Sequence, residues 1–174
     1  GRAGRRLVEL GQPATNGLKW PISPSVRQLY PNFSHGAAGA GFFLARLYQE
    51  TGERAFLDAA LAAARYLDAV ATKADGGFSV FHHEPGGEDL YYLSWCHGPA
   101  GTARLFYQLA HATGDAAWME FVWRAARATE LTGIPERRTP GFWENISQCC
   151  GDAGVGEFFL TLYGLSGNAS YLEF

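Results

Sequence analysis

Cysteine is scarce in this chain, with three among 174 residues and two of those adjacent. Adjacent cysteines close almost no loop, so a framework of stabilising disulfides is excluded. Reduced thiols in a cytoplasmic setting are expected instead, where such clusters point to metal or catalysis. Lysine is almost absent, since twelve of the fourteen cations are Arg. Those arginines are scattered and the net charge is -3, so the electrostatic footprint of a nucleic-acid binder is missing. Every apolar run is interrupted by Asp, Glu or Arg before it reaches bilayer-crossing length, and no membrane span is expected. A signal peptide with a charged start and an apolar middle is also lacking. What remains, at 47% hydrophobic and 18% charged, is a globular chain with enough apolar material for a core.

Glycine, in contrast, is plentiful and regularly placed. Three stretches carry a Gly-x-x-Gly turn directly after a potential metal ligand or proton carrier: Ser34-His35-Gly36-Ala37-Ala38-Gly39, Trp95-Cys96-His97-Gly98-Pro99-Ala100-Gly101 and Cys149-Cys150-Gly151-Asp152-Ala153-Gly154. All three cysteines lie in these stretches. From Gly36 to Gly52, Gly98 to Gly114 and Gly151 to Gly167 the spacing is sixteen residues each time. Phe42–Tyr48, Leu105–Ala110 and Phe158–Tyr163 fill the intervals with apolar residues at helical spacing. After each closing glycine an aromatic recurs at one offset, as Phe56, Trp118 and Tyr171. The pattern is an internal repeat of paired helices.

The repeat predicts inner helices starting near Gly39, Gly101 and Gly154 and outer helices near residues 54–72 and 115–131. The outer helices show one narrow charged stripe each (Arg54, Asp58, Arg65, Asp68; Glu120, Arg124, Arg127, Glu130), whereas the inner ones carry few charges and are expected to be buried more deeply. Residues 1–10 read as the end of a helix stopped at Gly11 and Pro13. Residues 11–34 read as a long connecting loop with a short extended piece at Trp20-Pro21-Ile22, and long loops are often functional. Residues 73–93 and 133–148 return from outer to inner helices, with a short hairpin conceivable in the first. The expected fold is all-α, an α/α toroid of inner and outer helices present as an arc of about three helical hairpins. Residues 1–174 read as one partial domain cut at both ends, the third outer helix ending after about one turn.

If the inner helices start at one end of a ring, the residues before each turn share an axis. Cys96, Cys149 and Cys150 then supply three soft ligands, and zinc takes thiolate sulfur tetrahedrally with a fourth position open in catalytic sites. Helix N-termini favour the thiolate forms. His35 is open between ligand, proton carrier and hydrogen-bonded structural residue. His97 and Asp152, beside the ligand positions, are candidates for supporting the site. His82-His83-Glu84 read as a solvated rim, and His111 is explained by its place at a helix end. Trp20, Trp95 and Trp143 lie on the approaches to the motifs, where they line a cavity or simply pack.

His-Gly-x-x-Gly, Trp-Cys-x-Gly-x-x-Gly and Cys-Cys-Gly-x-x-Gly, in that order on paired helices from His35 to Phe174, resemble the lanthionine synthetase C-like cyclases. The resemblance implies a double ring of helices with zinc at one end of the inner ring, held by Cys96, Cys149 and Cys150. It implies that Cys150 replaces the histidine more usual in the family, as in its all-cysteine branch, and that His97 stands where tyrosine is common. It puts the catalytic histidine at His35. The implied activity is thioether (lanthionine or methyllanthionine) formation, in which a peptide cysteine thiolate adds to dehydroalanine or dehydrobutyrine. The implied partners are a dehydrated Ser/Thr/Cys-rich precursor peptide, or a small thiol, and a dehydratase domain or protein. Two other functions fit the same architecture: a non-catalytic relative holding zinc and glutathione, and a toroidal carbohydrate-active enzyme using carboxylates such as Asp89, Glu144, Asp152 or Glu157. The last needs paired acid/base carboxylates, and none of these recurs at a fixed repeat position.

Overall fold

A computed structural model describes all of residues 1–174. The chain opens with helix α1 (Arg2–Leu10), followed by a two-stranded antiparallel hairpin, β1 (Gln12–Ala14) and β2 (Gly17–Lys19). The repeats follow as α2 (Ala37–Thr51) with α3 (Arg54–Val70), α4 (Pro99–Thr113) with α5 (Met119–Glu130), and α6 (Asp152–Ser166) with a single 3-10 turn at Ala169–Leu172. A further 3-10 turn, Ala116–Trp118, leads into α5. No helix is long and apolar enough to cross a membrane. The all-α arc of three hairpins is therefore present.

The repeats share their stops as well as their starts. Gly52, Gly114 and Gly167 adopt φ of 69°, 72° and 68°, a left-handed conformation that glycine takes without a Cβ penalty. Each donates its N–H back into the last turn, to the carbonyls of Tyr48, Ala110 and Tyr163. The preceding hydroxyls, Thr51, Thr113 and Ser166, donate to a carbonyl four residues back and accept an N–H from beyond the glycine. Leu44, Phe106 and Phe159 occupy one repeat position and are all buried. Burying such a side chain contributes roughly 1.5–3 kcal/mol.

One continuous core of 30 buried residues runs through the arc. Phe106 stacks on Phe121 at 4.4 Å, and Phe78 meets both edge-on, which joins α4, α5 and the loop before them.

Three expectations fail here, the first of them in one repeat only. Outer helix α3 is more deeply buried than inner helix α2, burying nine residues, including Phe56, Leu57 and Tyr66, against five. In the second pair inner α4 buries nine against four in α5, as expected. The Ala-rich surface of α3 is covered by α2 on one side and by α1 and β2 on the other, while α2 leaves Phe43 and Arg46 exposed. The segment after α1 is not all loop, because Asn16 takes a positive φ of 59° that closes the β1–β2 turn. A hairpin within 73–93 does not form; only isolated bridges appear, at Thr72–Ser79 and His83–Gly87.

Candidate metal centre

The three motifs are stitched together by their backbones. Ser34 donates its N–H to the Cys96 carbonyl at 3.0 Å, and Cys96 donates its own to the Cys149 carbonyl at 3.0 Å. Ser34, Cys96 and Cys149 stand at the same repeat position, two residues before the first glycine. Only glycine allows the approach beneath them. A Cβ on Gly39, Gly101 or Gly154 would collide with the carbonyl oxygen of Phe33, Trp95 or Gln148 respectively.

This ladder brings the cysteines together. The Cys96 and Cys150 sulfurs are 3.6 Å apart, those of Cys150 and Cys149 are 3.4 Å apart, and all three lie within 4.8 Å of one another. Sulfurs on a tetrahedron with bonds of about 2.3 Å stand roughly 3.8 Å apart, so three vertices fit the spacing. The donor set is soft and suits zinc. Cys96 is buried, Cys150 half-buried and Cys149 exposed. That gradient leaves one side of the cluster reachable. Without a metal two of the thiols are held protonated: burial pushes Cys96 up, and burial with the neighbouring sulfurs pushes Cys150 up to about 12. Metal loading must therefore displace those protons.

Around this centre lies a group of rings that the sequence reading divided wrongly. His82 and His83 are not a solvated rim. Leu29 and Glu84 exchange backbone hydrogen bonds at 2.8 and 2.9 Å, and the buried Asn32 amide donates to the carbonyls of Phe81 and His82. These bonds fold the histidine loop against the first motif. Tyr30 then packs against four imidazoles: His35 at 6.2 Å, His82 at 5.2 Å, His83 at 5.5 Å and His97 at 5.7 Å between centroids. His97 touches His35 at 5.3 Å and His82 at 4.5 Å, and the Nδ1 atoms of His82 and His83 are 2.8 Å apart. Burial, followed by repulsion from His82 and His35, lowers His97 to about 4, and burial lowers His82 as well. Both rings are neutral at physiological pH. Glu84 is a tie-point, accepting from Lys19 and from the Tyr66 hydroxyl at 2.8 Å each. The available signal was two extra histidines in a loop that returns to the motif end.

The remaining candidates fall as follows. His35 is exposed and edges a cleft shared with Trp95 and Trp20. Asp152 opens α6 with an exposed side chain and borders a small cavity with Ile134, Phe142 and Phe174. Trp143 is exposed and packs edge-on against Tyr92, which in turn meets His82. Glu144 pairs with Arg138, and Glu157 accepts from Gln148 and lies 3.9 Å from Arg104. No hydrogen bond or ion pair joins any two of Asp89, Glu144, Asp152 and Glu157. Paired carboxylate chemistry gains no support from that arrangement.

Fold and site together define an arc of an α/α toroid with a cysteine cluster at the starts of its inner helices. The family model for "Lanthionine synthetase C-like protein" matches residues 5–173, and the chain belongs to that family. Among solved structures it is similar to "Nisin cyclase", with a TM-score of 0.69 at 18% sequence identity, over 98% of this chain and 47% of that one. At that identity the likeness shows a shared fold, and the chain spans about half the length of the cyclase. No curated protein sequence matches.

Proposed function

We propose that the chain carries the zinc-binding part of a cyclase-like domain that forms thioethers in a dehydrated peptide. The observation carrying this reading is the convergence of Cys96, Cys149 and Cys150, from two repeats, to within 4.8 Å. These three residues would hold the ion. Zinc bound there lowers the proton affinity of a substrate thiol. The peptide thiolate adds to the β-carbon of dehydroalanine or dehydrobutyrine, forming the C–S bond and leaving negative charge at the α-carbon and its carbonyl. That carbon then takes a proton. His35, exposed beside the ladder that joins Ser34 to Cys96, is the group assigned to deliver it. His97 lies between His35 and His82 and supports the first ring by contact.

The partner peptide is read from the chemistry: it must offer a free cysteine and a dehydro residue in one chain. The test is mass spectrometry of such a peptide after thiol alkylation, which counts uncyclised cysteines. The zinc-loaded full-length protein is expected to remove them, and His35→Asn to keep its zinc while slowing the reaction about 10²–10⁴-fold. Loss of zinc in that variant would make His35 a ligand, and unchanged cyclisation would remove it from the chemistry.

A further inference from the structure

Beside His35 the chain forms a cleft of about 520 Å³, a size typical of ligand sites. Its walls come from α1 (Leu7), from the loop at Trp20 and Ile22, and from Phe33, His35 and Trp95. No Asp, Glu, Lys or Arg side chain lines it. Another cavity, of about 330 Å³ and bordered by α2, α4 and α6, is different in kind, with Arg46, Arg104 and Glu157 in its lining. The cleft's shape is held from behind: Trp20 is buried and its indole N–H donates to the Leu7 carbonyl at 2.7 Å, while Phe33 and Trp95 pack edge to face at 5.0 Å. Ile22, at 44% exposure, offers apolar surface at the mouth. Trp95 is the residue before Cys96, and His35 follows Ser34, whose N–H is bound to the Cys96 carbonyl. The cleft therefore borders the proposed proton donor, and one of its walls is the residue next to Cys96.

From this geometry we infer that the cleft is a specificity subsite for an uncharged, apolar side chain of the peptide substrate, the residue flanking the dehydro position. A charged flanking side chain entering it would lose water and meet no Asp, Glu, Lys or Arg, only the Ser34 hydroxyl and the His35 imidazole. An apolar one would bury its surface against Leu7, Trp20, Phe33 and Trp95 and gain accordingly. The inference rests on the thioether reading, because that reading sets the dehydro residue at His35.

The experiment uses the zinc-loaded full-length protein and synthetic peptides holding one cysteine and one dehydroalanine, flanked by Leu, Glu or Lys. Binding of cysteine-free versions is followed separately by fluorescence polarisation. The Leu-flanked peptide is expected to exceed both charged ones about tenfold or more in kcat/KM. Ile22→Asp should move the preference toward the Lys-flanked peptide and Ile22→Lys toward the Glu-flanked one, with zinc content and melting curves showing that both variants fold. Equal rates on all three peptides, or variants that leave the ranking unchanged, overturn the subsite while leaving the reaction standing. Leu-selective binding without any cyclisation keeps the subsite and removes the thioether reading.

Discussion

Gly154 provides a test in which two opposed effects have comparable size. It lies in the first turn of α6, where replacing glycine by alanine ordinarily stabilises by about 0.5–1 kcal/mol. Here the added methyl would strike the Gln148 carbonyl oxygen and come within 2.8 Å of the Trp95 Cβ. Neither obstacle is the free end of a flexible side chain, and overpacking of this kind costs about 1–3 kcal/mol. The collision should win, for a net loss of about 1–2 kcal/mol, or a fall of about 2–8 °C in melting temperature at this chain length. Gly164 supplies the control on the same helix. A Cβ there meets nothing within 4 Å, and the equivalent positions in α2 and α4 hold Gln49 and His111. Gly164→Ala should therefore raise the melting temperature by about 1–4 °C. Because Trp95 adjoins Cys96, Gly154→Ala should also weaken the zinc response. Thermal unfolding followed by circular dichroism, with and without zinc, reads all three quantities. If Gly154→Ala melts at or above the unmodified protein, the close-packed turn on which the cysteine geometry depends is not as described.

Zinc at about 100 times its dissociation constant should stabilise the protein by about 2.7 kcal/mol, or about 5–11 °C, and Cys96→Ser or Cys150→Ser should abolish most of that shift along with the bound metal. Since the metal-free Cys96 and Cys150 thiols are raised and must lose protons to bind, apparent zinc affinity should tighten as pH rises from 6 to 8, with protons released into weak buffer; a pH-independent affinity would exclude thiol ligation. His97 is depressed in the folded state, so its contribution is complete above the unfolded value of 6.5 and is lost as pH falls toward about 4. The shift corresponds to about 3 kcal/mol at full burial, which partial exposure reduces to about 1–2 kcal/mol. His97→Phe should flatten the stability of the metal-free protein over that window, and an unaltered acid-unfolding profile would contradict the assignment.

The readable part of the sequence was what the repeat states three times over. Sixteen-residue glycine spacing marks helix stops because a left-handed residue closes each one, and Gly-x-x-Gly marks starts because backbone carbonyls pass where a Cβ would be. Both constraints act on the residue itself, so they appear in the letters. The three cysteines were legible for the same reason, being fixed to repeat positions. The β1–β2 hairpin had a local signal, Asn16-Gly17, but it sits inside a stretch whose glycines and prolines all read as loop. The deep burial of α3 was misjudged because few charges were taken to mean depth. What decides depth is the number of neighbours, and α1 and β2 cover the outside of α3 from elsewhere in the chain.

The histidine group shows where such reading stops. His82 and His83 occupy no repeat position, and nothing in their immediate surroundings separates them from solvated loop residues. Their place depends on Leu29 bridging Glu84 and on Asn32 donating to two loop carbonyls, contacts some fifty residues apart that no spacing rule encodes. Once made, those bonds press His82 against His97, which the repeat had already fixed beside Cys96. The consequence is chemical: two imidazoles that would be half-charged near neutrality become neutral rings around Tyr30, and His35 is left as the exposed one. A repeat thus sets the thiols, and two non-repeating loops set the rings around them. The metal affinity of the centre should therefore follow the glycines and cysteines, while its proton chemistry should respond to changes as distant as Asn32.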